Sequence, residues 1–351
     1  MSIRVLVVDD SAFVRRAVKR MLGSDPSIEV VGEANDGLEA LAKLKVLKPD
    51  VVTLDLRMPK LDGLATLKLI MRDQPTPVVL LSSFSSSDAT LTMDALAAGA
   101  IDFIDKSTVR SIDLHSLGDE LRTKIRAASR SRLRPQSVPA PPTSSRSPEG
   151  GLAVARVLRS SPRPKVVVIG ASTGGPPAIQ QILSGLGASF PVPILIIQHM
   201  PFGFTKEFAK RLDRECSLTV KEAQSGDPML PGQALVGCAG SDLRLRPGRQ
   251  GVEVELREGS SEALHAPSVD AALTSAAQCY GSGTCGVVLT GMGRDGLAGA
   301  HAVREVGGTL IAQDEASCVV FGMPKAIASA GLSDCLVDLD NIADLLVRML
   351  K

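Results

Sequence analysis

Along the N-terminal third of the chain, short apolar runs alternate with stretches whose apolar positions recur every three or four residues. The runs Arg4–Val8, Glu29–Ala34, Val51–Leu54, Val78–Ser82 and Asp102–Ile104 predict strands. The stretches between and after them, Ala12–Leu22, Leu38–Leu47, Leu64–Arg72, Asp88–Ala98 and His115–Ala128, predict helices. A run such as Val5-Leu6-Val7-Val8 has no polar alternation, so it suits a parallel strand covered on both faces. Strand and helix in strict alternation describe a doubly wound parallel sheet of about 125 residues.

The pattern lapses from about Ala127 to Arg163. Pro135, Pro139, Pro141, Pro142 and Pro148, many serines and a series of arginines stand there against a single acid, Glu149. Such a stretch has too little apolar surface to offset its ordering entropy, and it reads as an extended basic tether with local helix only near Gly151–Leu158. A second α/β pattern follows, with Lys165–Ile169, Pro193–Ile197 and Gly286–Leu289 as apolar strands, each leading into a glycine-rich turn. The expected organisation is therefore residues 1–126, a linker over 127–163 and a second domain over 164–351.

Composition narrows the function. The 351 residues allow two or three domains. Lys plus Arg (39) balance Asp plus Glu (38) for a net charge of +1, which argues against a general polyanion binder. With no Trp and one Tyr, stacking platforms for single-stranded nucleic acid are nearly excluded. No apolar run has the length of a membrane span, and the N-terminal run is too short for a signal-peptide core. The six cysteines form no Cys-x-x-Cys pair, and none of the four histidines is spaced as their zinc partner. Reduced thiols and a cytoplasmic location are the expectation.

In the first domain, Asp9 and Asp10 close the first strand, Asp55 the third, Ser82-Ser83 the fourth, and Lys106 follows the fifth. Strand ends on that edge of a parallel sheet are where sites assemble. Clustered carboxylates repel one another unless a cation is present, and an all-oxygen set suits Mg²⁺. A hydroxyl and an ammonium beside them can hold phosphoryl oxygens. This set resembles a response-regulator receiver domain. The resemblance implies that Asp55 accepts a phosphoryl group from a histidine kinase, that Asp9 and Asp10 with Asp55 hold Mg²⁺, and that Ser82 (or Ser83) and Lys106 read the phosphoryl group. Two positions depart from the family: Ser107 stands where proline is usual, and Phe103 occupies the aromatic switch position without a hydroxyl.

In the second domain, the strand Lys165–Ile169 runs into Gly170-Ala-Ser172-Thr173-Gly-Gly175-Pro-Pro177 and a helix starting near Ala178. Three readings of the turn are open. A dinucleotide fingerprint is weak, because its middle glycine is replaced and the second strand ends Gln198-His199 without an acid. The turn is also a literal G-x-S-x-G nucleophile elbow. It is equally a glycine-rich turn whose serine caps a helix. Two further pieces favour the elbow: His199 stands at a strand end, and Thr290-Gly-Met292-Gly-Arg-Asp295-Gly296 presents an acid beyond another. A serine hydroxyl needs an imidazole to take its proton, and the imidazole needs a carboxylate to fix its tautomer. The chain order Ser, His, Asp differs from that of an α/β-hydrolase. Of the other histidines, His301 reads as a helix residue, His115 as a receiver surface residue, and His265 as part of a substrate loop and the weaker candidate for the base.

The segments Ile169–Pro176, Gln198–Pro201, Thr290–Gly296 and Ala312–Pro324 resemble the chemotaxis protein-glutamate methylesterase family, CheB. With the receiver in front, the likeness covers the chain apart from the linker. It implies a catalytic set of Ser172, His199 and Asp295, with backbone of Thr173 and Met292 at the oxyanion. It implies hydrolysis of glutamate γ-methyl esters, and deamidation of glutamine, on chemoreceptors, gated by phosphorylation and with no cofactor for the hydrolysis itself. No nucleic-acid partner and no membrane insertion are expected. Asp242, in Gly240-Ser-Asp-Leu243, replaces a histidine frequent in the family.

Overall fold

The computed structural model describes residues 2–83, 85–106, 114–131, 154–155, 157–159, 161–249, 251–258 and 266–351. The chain divides into two compact units, Met1–Ala140 and Pro141–Lys351. The first unit alternates β1 (Ile3–Val8), α1 (Ala12–Gly23), β2 (Ile28–Ala34), α2 (Gly37–Leu47), β3 (Val51–Asp55), α3 (Gly63–Asp73), β4 (Val78–Ser82), α4 (Ser86–Ala97), β5 (Asp102–Asp105) and α5 (Leu114–Arg130). Its five strands pair in parallel in the order β2-β1-β3-β4-β5, as the alternation predicts. Every residue of β3 and β4 is buried, which is why these segments carry no polar alternation. Side chains of Ser11, Asp36, Asp62 and Ser85 accept backbone N–H bonds at the starts of α1 to α4, so each helix begins where a capping residue permits it.

Helix α5 runs on to Arg130, with Ala127 and Ala128 buried. The tether read from residue 127 therefore opens with the last turn of a packed helix, where two alanines face the core without a large apolar signal. Residues 154–155 and 157–159 are helical, in the region where local helix is expected; 151–153 and Ser107 lie outside the described residues.

The second unit is built on a seven-stranded parallel sheet in the order β14-β13-β12-β6-β7-β9-β8. Its strands are β6 (Val166–Ala171), β7 (Ile194–Gln198), β8 (Thr219–Glu222), β9 (Gln233–Val236), β12 (Thr284–Val288), β13 (Thr309–Gln313) and β14 (Cys335–Val337). A separate antiparallel hairpin joins β10 (Ser241–Gly248) to β11 (Gly251–Glu258). The helices are α6 (Gly175–Ser184), α7 (Phe204–Glu215), α8 (Val269–Tyr280), α9 (Leu297–Glu305), α10 (Met323–Ser329) and α11 (Leu339–Met349).

The sequence pattern predicts β6, β7 and β12, all fully buried, but not β13, which is buried as completely. The edge strands β8 and β14 have four and three residues, too short for periodicity to register. Helix α6 starts at Gly175, three residues before the expected Ala178, because Pro is accommodated in a first turn where its missing N–H has no intrahelical role. The order reverses between β12, β6 and β7, which places the ends of these strands at a topological switch point.

Candidate active site

The β6–β7 ladder pairs Ala171 with Gln198, so the next residues, Ser172 and His199, leave the sheet side by side. Adjacent strands lie about 4.8 Å apart, which brings their side chains within reach. The His199 N–H donates to the Ala171 carbonyl at 3.1 Å. On the other side of β6, the Ser172 N–H donates to the Thr290 carbonyl at 3.1 Å, so the loop after β12 is bound directly to the serine turn. From that loop Asp295 reaches His199, with Nε2 to Oδ2 at 2.7 Å. Both side chains are more than nine-tenths buried.

The turn that carries Ser172 is held from three sides. Gly174 has φ +76°, and a Cβ there would fall 2.6 Å from Val319 Cβ, so only glycine fits. The Thr290 hydroxyl donates to the Thr173 carbonyl at 3.0 Å and accepts the Val320 N–H at 2.9 Å. The Thr290 N–H donates in turn to Gln313 Oε1 at 2.8 Å. The Gln198 amide donates to the Ser172 carbonyl at 2.9 Å and the His199 carbonyl at 3.0 Å, tying the two backbones together. A Cβ on Gly291 would lie 2.9 Å from Ser172 Cβ, which shows how closely the loop containing Met292 approaches the serine. Sequence reasoning did not single out Gln198, Thr290 or Gln313. The available signal was a glutamine ending each of two apolar strands, β7 and β13.

Asp295 is surrounded by donors. Oδ1 accepts from the Ser268 hydroxyl at 3.1 Å and from the N–H groups of Asp270 and Gly296, each at 3.0 Å; Oδ2 accepts the Val269 N–H at 2.8 Å besides His199. Burial alone would push this carboxyl up. The hydrogen bond and charge of His199 and the two helix N–H groups outweigh it and hold the carboxyl well below the usual carboxylate range. Ser268 is the cap, and Val269 and Asp270 lie in the first turn, of α8. His301 is an exposed residue of α9, while His265 and the His115 side chain lie outside the described residues. Asp242 lies on β10 with its Oδ2 3.2 Å from Arg244.

In the first unit, oxygen atoms of Asp9, Asp10 and Asp55 lie within 4.8 Å of one another. The Lys106 ammonium stands 2.6 Å from Asp55 Oδ2 and 3.3 Å from Asp9 Oδ2. Burial and then repulsion from Asp55 push the Asp9 carboxyl up to about 6, against the pull of Lys106. Burial also raises Asp55. Ser82 is buried at the end of β4 and shares a 2.7 Å hydrogen bond with Thr92 of α4. Phe103 is buried, with the Lys124 ammonium 5.5 Å from its ring centroid.

Residues 167–346 match the CheB methylesterase family and residues 5–116 the response regulator receiver domain. A protein-glutamate methylesterase/protein-glutamine glutaminase of Lawsonia intracellularis is 46% identical, covering 97% of both chains. One from Oleidesulfovibrio alaskensis is 44% identical over 99% of both. The crystal structure of the Thermotoga maritima CheB methylesterase catalytic domain aligns with a TM-score of 0.52 and 42% identity, covering 53% of this chain and 98% of that one. By these matches across nearly its full length, the chain belongs to the CheB methylesterase family and carries a response-regulator receiver domain at its N-terminal end.

Proposed function

We propose that the protein is a phosphorylation-regulated serine esterase that hydrolyses glutamate γ-methyl esters, and the corresponding glutamine amides, on chemoreceptors. The observation that carries the reading is the His199–Asp295 bond of 2.7 Å beside the strand end that presents Ser172. Ser172 Oγ attacks the ester carbonyl while His199 takes its proton. Because Nε2 is on Asp295, Nδ1 is the basic nitrogen, the reverse of the usual serine-protease orientation. In this reading the N–H groups of Thr173 and Met292 receive the oxyanion. Collapse of the tetrahedral intermediate breaks the C–O bond; the imidazolium returns the proton and methanol leaves. Water then attacks the Ser172 acyl ester, with His199 again moving the proton. A glutamine substrate releases ammonia by the same route.

In the receiver, Asp55 is the phospho-acceptor and a histidine kinase of the chemosensory array the donor. Asp9, Asp10 and Asp55 form an all-oxygen set that fits Mg²⁺, and Asp9 is raised first by burial and then by repulsion from Asp55. Bound Mg²⁺ supplies charge neutralisation at the acceptor. A phosphoryl group on Asp55 would meet the Lys106 ammonium and compete with Thr92 for the Ser82 hydroxyl. The test is methanol release from a peptide carrying glutamate γ-methyl esters, with and without acetyl phosphate. The rate is expected to rise with the phosphodonor in the parent and to stay flat in Asp55→Asn; an equal rise in both would refute the gating.

The metal set also has a pH signature. Asp9 has a folded pKa of about 6 against 3.8 for the free group, so stability falls as pH rises through that window and the proton is lost into a repulsive site. Added Mg²⁺ is expected to raise the melting temperature of the receiver at about pH 7.5 and far less at about pH 5, where protonated Asp9 competes with the ion. Calorimetry showing equal shifts at both values would contradict the assignment.

A further inference from the structure

Asp295 precedes α9 yet bonds the start of α8, through the N–H groups of Val269 and Asp270 and the hydroxyl of Ser268. The reverse also holds. Asp270, in the first turn of α8, accepts the Gly299 N–H in the first turn of α9 at 2.7 Å. Helix α9 has glycine at its N-cap and no side-chain cap of its own. Each helix thus has N-terminal N–H groups satisfied by the acid that stands at the start of the other. Gly299 permits the approach, since a Cβ there would lie 2.6 Å from Leu273 Cβ and 3.1 Å from Asp270 Cα.

We propose that Asp270 is a positioning residue of the esterase, which through this reciprocal capping fixes the Asp295 carboxylate and places a second negative charge behind it. The proposal rests on the reading of Ser172, His199 and Asp295 as the catalytic set. Burial and then the nearby Asp295 push the Asp270 carboxyl up, as expected for two acids held together by helix geometry. The negative charge behind Asp295 favours the imidazolium that forms when Ser172 gives up its proton.

Asp295 is the charged group set against Asp270, with His199 beyond it. Strands β6 and β12 bring no ionic side chain to α8. The arginines of α9 and β10 pair elsewhere: Arg304 with Asp334, Arg244 with Asp242, and Arg246 with Glu253. His301 and Glu305 of α9 are exposed.

The experiment compares kcat and kcat/KM against pH for the full-length parent, Asp270→Asn and Asp270→Glu. The substrate is the γ-methyl ester peptide, with acetyl phosphate and Mg²⁺ present. Asparagine keeps an oxygen for the Gly299 N–H but removes the charge. Its acid limb is expected to move to lower pH by about half a unit to one unit, because the imidazolium loses a neighbouring anion. Its plateau kcat is expected to fall about threefold to tenfold with KM unchanged. Asp270→Glu keeps the charge on a longer arm and is expected to retain the parent's acid limb while losing kcat. An Asp270→Asn profile that superimposes on the parent's, or a glutamate variant whose limb moves with the asparagine variant's, overturns the proposal. Neither result touches the catalytic set itself, which fails only if Ser172→Ala remains active.

Discussion

Ser172→Ala is expected to lower kcat for methanol release from the γ-methyl ester peptide by about 10⁶-fold, the scale seen when a serine hydrolase loses its nucleophile. The contacts that hold the turn use the Ser172 backbone: its N–H on Thr290, and its carbonyl under the Gln198 amide. Alanine leaves all of them in place. The melting temperature is therefore expected to change by no more than a few degrees, and peptide binding to persist. The residual rate reports what the remaining oxyanion donors do without covalent catalysis. Retained hydrolysis in a folded Ser172→Ala variant, measured by methanol release, would remove the covalent mechanism altogether.

Asp295→Asn is expected to lower kcat by about 10⁴-fold through the wrong imidazole tautomer. Oδ1 of the carboxylate faces three donors, from Ser268, Asp270 and Gly296, so the amide oxygen of asparagine must take that side. Its NH₂ then points at His199 Nε2, which has to become an acceptor. The ring proton moves to Nδ1, the nitrogen that should receive the Ser172 proton. The same NH₂ also meets the Val269 N–H, donor against donor. A stability loss accompanies the kinetic one, and its pH dependence has a definite sign. The depressed carboxyl contributes stability that is present above the unfolded value of 3.8 and lost as pH falls through the lower folded value. Removing it should flatten the acid side of the melting curve. A kcat within about tenfold of the parent's would show that the imidazole needs no carboxylate to orient it.

The two predictions draw on information of different kinds. The serine, the histidine and the acid were legible because each follows an apolar run and a glycine-rich turn, and local pattern is enough to recognise a strand end. The five receiver positions were legible for the same reason. Gln198, Ser268 and Asp270 were not. The importance of Ser268 and Asp270 comes from Asp295 and the first turn of α9, which bond them from nearly thirty residues further along. Ser82 was placed correctly at its strand end, but its bond to Thr92 depends on how α4 sits on β4. Helix α5 ends at Arg130, two residues beyond the expected Ala128, so it overlaps the first residues of the expected tether.

The sequence by itself determined the two α/β units, the strand ends that carry reactive groups and the residue types available there. These follow from local apolar periodicity and turn chemistry, which neighbouring residues settle among themselves. Only the tertiary structure decided which strand ends adjoin, which nitrogen of His199 meets Asp295 and which helix N-termini hold that acid. Strand order and helix packing are set by burial of surfaces far apart in the chain, so the contacts that tune the site exist only once the sheet has assembled.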